Sequence, residues 1–148
     1  MAALALSVCT VAGPEFAAAQ PARAATTQAM SAACSANLTT EGSFMRGRRW
    51  KTQATAAGVT VQAAVVNIAR ALATDGHWKD IRADRDIGTV TAVQDIPGGS
   101  KQMPLSMILK PEGSAVSVEA ILTTPPMIAS SAEGVKKAIC EIVEAADG

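Results

Sequence analysis

The chain predicts an α+β fold, a two-layer sandwich in which an antiparallel meander sheet of about four to five strands carries two helices packed on one face. Three observations predict it. Val61, Val65, Ile68 and Leu72 fall on one face of a helix, and so do Val135, Ile139, Ile142 and Ala146. Between these stretches Met103, Leu105, Met107 and Leu109, then Val116, Val118, Ala120 and Leu122, sit at every second position, the pattern of strands buried on one side. Neither set can bury its apolar side alone, so helices and sheet must cover each other.

The first helix is expected over residues 61–74, with Thr60 as N-cap and Gly76 as the left-handed residue that ends it. His77, Trp78, Ile81 and Ala83 follow. The polar cluster Asp84, Arg85, Asp86 then precedes a β-branched run over 87–93, so this part reads as a hairpin. Pro97, Gly98 and Gly99 mark a loop over 95–102. Lys110-Pro111-Glu112-Gly113 has the residues of a type I turn. Pro125-Pro126 must leave the sheet because proline has no N–H to give to a ladder, and Ser130 with Glu133 forms a capping box for the last helix. Upstream, residues 34–40 read as a short first strand, 41–47 as a glycine-bearing turn and 48–54 as an edge strand.

Residues 1–25 differ from the rest. An apolar run over 2–13 is followed by A-x-A sites at Ala17 to Ala19 and Ala22 to Ala24, the pattern of a removable export signal, although no Lys or Arg precedes Arg23. The run is too short to span a bilayer, and no transmembrane segment is expected in the mature chain. Removal of 1–25 leaves a flexible lead over 26–33, rich in small and polar residues, and a single α+β domain over 34–148.

Of three cysteines, Cys9 goes with the signal. Cys34 and Cys140 remain as a pair suited to a disulfide in an oxidising compartment, periplasmic or secreted from a bacterium. Such a bond closes a loop long enough for a chain-entropy stabilisation of about 4–5 kcal/mol. Two buried thiols are the alternative, and lipidation of Cys34 is disfavoured because Ser31 replaces the aliphatic residue of a lipidation motif.

Composition excludes several activities. Thirteen basic and thirteen acidic residues cancel, so the chain has no whole-surface attraction to nucleic acid. Aromatic residues are 3% with no tyrosine, leaving few platforms for bases or sugars. His77 is the single histidine, and neither G-x-S-x-G nor H-E-x-x-H occurs. Pro97-Gly98-Gly99-Ser100-Lys101 lacks the order of a phosphate loop and precedes a strand. No cofactor is expected.

Three functional readings follow. The first is an exported, non-catalytic envelope domain that binds a protein or an anionic envelope component through the basic cluster Arg46, Arg48, Arg49, Trp50 and Lys51, or through the open polar face of the sheet. The second is a small hydrolase or metal-dependent enzyme built on Asp80, Asp84, Asp86 and His77. The third is a carrier of an apolar ligand, with Met103, Met107 and Met127 supplying a soft groove.

Overall fold

The computed structural model describes residues 19–148, so residues 1–18 of the expected export signal lie outside the described residues, whereas residues 19–25, read as its end, form the first turns of a helix. Helix α1 (Ala19–Ala36) leads into strands β1 (Thr39–Ser43) and β2 (Gly47–Ala57). Helix α2 (Val61–Asp75) follows, then β3 (Trp78–Asp84), β4 (Thr89–Asp95), β5 (Gln102–Glu112) and β6 (Ala115–Thr124), and the chain closes on α3 (Ala132–Glu144) with a final 3-10 turn.

The α+β class holds, with an antiparallel sheet of six strands and three helices rather than four to five strands and two helices. The strand order is β1-β2-β6-β5-β4-β3. β3 to β6 form the expected meander, and the β1–β2 hairpin joins its far side because β2 pairs with β6 along its whole length, from Arg48 opposite Thr124 to Ala57 opposite Ala115. β2 is therefore an interior strand, not an edge. The edge on this side is β1, with β3 at the other, and the partner residues of β1 on β2 end at Lys51.

Strand alternation sets the layers. Trp50, Thr52, Ala54 and Ala56 of β2 are buried, as are Val116, Val118, Ala120 and Leu122 of β6, Leu105, Met107 and Leu109 of β5, and Val90 and Ala92 of β4. Against that face α2 sets Val65, Ile68 and Leu72, and α3 sets Val135, Ile139, Ile142 and Val143, all buried. The hydroxyl of Thr60 accepts from the Ala63 N–H at 3.2 Å, and Gly76 stands at φ 75, so α2 starts and stops where its local chemistry dictates. The cap of α3 is Ser131, whose hydroxyl accepts from the Gly134 N–H at 3.1 Å; Ser130 lies one residue outside, so no capping box with Glu133 forms. Between β5 and β6 the ladder continues through Pro111, opposite Val116, and the reversal falls on Gly113 and Ser114 instead of the Lys110–Gly113 turn.

Residues 26–33 are helical, not a flexible lead, and Cys34 lies on α1 instead of a strand. Alanine is the best helix former, and Pro21 sits in the first turn, where its missing N–H costs nothing. α1 buries little, chiefly Met30 and Cys34. It is held by other means. Cys34 is disulfide-bonded to Cys140 of α3, with Cα atoms 5.7 Å apart, and the Cys34 carbonyl accepts from the buried Thr52 hydroxyl at 2.5 Å. At its other end Arg23 donates to the carbonyls of Asp147 and Gly148, and Thr27 to the Asp147 carboxylate.

A second tie joins the strands at one end of the sheet. Lys79 of β3 donates to the Asp95 carboxylate of β4, which also accepts from the Gln102 carboxamide of β5 at 2.9 Å. The Lys79 ammonium, with Gln102 as a second donor, holds the Asp95 carboxyl below the usual carboxylate range, and the same hydrogen bond raises Lys79.

Two outcomes follow from these ties. Replacing both cysteines, Cys34→Ser with Cys140→Ser, should cost about 4 kcal/mol, read as a lower urea midpoint, and reductant should lower the parent midpoint similarly. A parent indifferent to reductant would contradict the crosslink. The Asp95 contribution has a definite sign: with the folded pKa depressed, it is complete above the unfolded value and lost as pH falls through the folded one. The Lys79 contribution, with its pKa raised, is complete below its unfolded value and lost as pH rises through the folded one. Asp95→Asn should thus lower the urea midpoint at neutral pH and flatten the midpoint's fall on the acid side, both effects small for an exposed pair.

Candidate functional site

Between α2 and α3 the sheet is incompletely covered. A cavity of about 290 Å³ opens there, and a second of about 320 Å³, enclosed by α3, the β4–β5 connection and the loop after β6, adjoins it at Gln94 and Ala138. Together they make a trough that runs along α3. Its floor is a row across three strands, since Trp78 of β3 stands opposite Gln94 of β4, which stands opposite Met103 of β5. Leu72 and Ala71 form the α2 wall, while Val135, Ala138 and Ile142 form the α3 wall.

Polar groups sit along the trough, with Asp75, His77 and Glu141 gathered at the end between α2 and α3 and Asp95, Ser130 and Ser131 toward the other. The Gln94 carboxamide, which can both donate and accept, lies mid-floor. At one end His77 Nδ1 lies 3.3 Å from the Asp75 carboxylate, with the imidazole 71% exposed. At the other end Ser130 places a buried hydroxyl without a hydrogen-bond partner, next to the α3 N-terminus that Ser131 caps. An apolar body with few convergent polar groups is the anatomy of a small-molecule site.

Gln94 and Ala138 did not stand out among the candidate residues, yet both left a signal. Gln94 shares parity with Val90 and Ala92, so a polar side chain was bound to emerge on the helix-covered face. Ala138 stands three after Val135 and four before Ile142, on the trough side of the α3 stripe, and its small size leaves the gap open.

The basic cluster is contiguous in sequence and divided in space. Arg46 is exposed in the β1–β2 turn. Arg48 points toward the helix side and donates to the Ser130 carbonyl at 3.4 Å. Arg49 and Lys51 emerge on the open face, where Lys51 pairs with Glu119 at 3.2 Å and Arg49 stands opposite Glu41. Trp50 is 3% exposed and donates from its indole nitrogen to the Thr124 hydroxyl at 3.0 Å, so it belongs to the core and not to a contact surface.

The acidic cluster does not converge either. Asp84 spends one carboxylate oxygen on the backbone N–H groups of Asp86 and Ile87, as turn chemistry requires. Asp80 occupies a bulge in β3 at φ 49. His77 precedes β3 and Asp84 ends it, which at strand spacing separates them by roughly 20 Å. Among the described residues no three His, Cys, Asp or Glu side chains are placed to hold one metal ion. Met103 lines the trough, Met107 is fully buried in the core, and Met127 is exposed, so the three methionines do not share a groove. Among the described residues no helix is long and apolar enough to cross a membrane.

The sequence matches no protein-family model, and no curated protein is similar to it at a significant level. Among solved structures it is similar to the one titled "Crystal structure of Ara h 8.0201", with a TM-score of 0.47 and 11% identity over 67% of this chain and 94% of that one. A score and an identity this low assign no family.

Proposed function

We propose that this chain is an exported, non-catalytic binding domain of the bacterial cell envelope, and that its ligand is a small molecule with an apolar body seated in the trough along α3. The observation that carries this reading is the pair of cavities sharing Gln94 and Ala138 over an otherwise apolar floor of Trp78 and Met103. The ligand's chain lies on Trp78, Met103, Ala71 and Val135, and a hydroxyl, amide or carboxyl on it meets the Gln94 carboxamide. The Cys34–Cys140 bond supports an oxidising compartment, because such bonds persist there and not in a reducing cytosol.

Titration with medium-chain fatty acids and the matching alcohols, followed through the emission of Trp78, tests the reading. Saturable binding is expected. Ala138→Leu should fill the trough and abolish the response, while Gln94→Ala should weaken binding of the polar-headed ligands about fivefold to tenfold, the worth of one hydrogen bond. Titrations unchanged by both substitutions would place the ligand elsewhere, and no response to any ligand of the series would sink the reading.

A further inference from the structure

Four large apolar side chains are exposed among the described residues: Phe44 at 42%, Met45 at 67%, Ile87 at 68% and Met127 at 61%. Three of them come from one corner of the molecule. Phe44 and Met45 occupy the turn between β1 and β2, and the Met127 N–H donates to the Phe44 carbonyl at 2.7 Å, tying the loop after β6 to that turn. Met127 takes this position at φ 64, a left-handed conformation that a bulky side chain disfavours. The corner is thus built, and it presents three exposed apolar side chains beside a shallow cavity lined by Arg46, Arg48, Arg49, Pro125 and Pro126.

Cations surround it. Arg46 lies in the same turn; Arg48 and Arg49 begin β2 just behind it. Lys101 reaches the loop from the β4–β5 connection and donates to the Pro126 carbonyl at 2.7 Å. Glu41 is the acidic side chain that shares their surroundings. The corner therefore combines projecting apolar groups with a positive surround.

We propose that this corner docks the domain onto a bilayer bearing anionic headgroups. Phe44, Met45 and Met127 enter the interfacial layer while Arg46 and Arg49 lie at the level of the phosphates. Charge complementarity identifies the occupant, because one weak signal gives marginal membrane binding whereas apolar insertion together with a basic patch gives stable binding. The proposal stands independently of any ligand in the trough.

Co-sedimentation with vesicles of phosphatidylcholine, with and without phosphatidylglycerol, tests it on the full chain. Binding to the phosphatidylglycerol vesicles is expected, weakening as salt rises, with little binding to phosphatidylcholine alone. Arg46→Ala and Arg49→Ala should each lower the partition about fivefold, the factor equivalent to the roughly 1 kcal/mol that a basic residue gains near an anionic surface. Phe44→Ser with Met45→Ser and Met127→Ser should lower it by an order of magnitude or more. Met45→Ser alone, at the most exposed of the three, should lower it severalfold and serves if the triple variant melts early. A Phe44→Trp variant should shift its emission to the blue on the anionic vesicles, relative to the parent. Absence of vesicle binding, binding undiminished by the serine substitutions, or an unshifted emission from the Phe44→Trp variant would each overturn the proposal. Ala138→Leu should leave vesicle binding unchanged, so loss of the trough ligand and loss of docking are separable.

Discussion

The architecture depends on the bond between Cys34 and Cys140. α1 has too thin an apolar stripe to dock on its own, since among the described residues Met30 and Cys34 are its fully buried side chains, and burial of two side chains cannot offset the ordering of a helix of this length. The crosslink fixes it against α3, and the Thr52 hydroxyl then secures the Cys34 carbonyl over β2. The same bond acts on α3 in return. α3 packs over β2 and β6 while α2 packs over β3, β4 and β5. The trough lies beside α3 over this face, and its floor residues Trp78, Gln94 and Met103 are ones whose strand position turns them toward the helices.

What the sequence made legible was whatever short-range chemistry decides. α2 has its cap, its stripe and its stop within one short stretch, and each does what its residue type dictates. The same holds for β5 and β6, whose alternation identifies the buried side chains without knowledge of their partners. The readings that changed were decided by distant residues. β2 is an interior strand because β6 pairs with it, and no feature of residues 47–57 announces that partner. The first helix was hidden by composition: alanine and threonine without a strong apolar stripe suit a flexible lead as well as a helix, and only Cys140 settles the matter. In α3 a one-residue shift of the cap, from Ser130 to Ser131, changes which serine is satisfied and leaves the Ser130 hydroxyl buried without a partner.

The basic cluster shows why sequence proximity misleads in a strand. Successive side chains of β2 go to opposite faces, so Arg48 and Trp50 point toward the helices while Arg49 and Lys51 point to the open face. A run of five residues therefore cannot act as one patch. The surface that does combine charge with apolar groups draws on the β1–β2 turn, the β4–β5 connection and the loop after β6, which are remote in sequence and joined by hydrogen bonds to backbone carbonyls.

That loop also divides the labour among the cations. Pro125 and Pro126 carry the chain off β6, Met127 turns it in a left-handed conformation, and Ile128 to Ser131 then line the end of the trough. Its path is held by two cations that donate to its carbonyls, Lys101 to Pro126 and Arg48 to Ser130. Hydrogen-bonded to the loop, these two are committed to its shape before any partner arrives. Arg46 in the turn and Arg49 on the open face carry no such obligation to the loop, so the charge offered outward at this corner rests on them. One loop therefore shapes both the exposed apolar corner and the mouth of the trough, with the cations that position it distinct from those that face a surface.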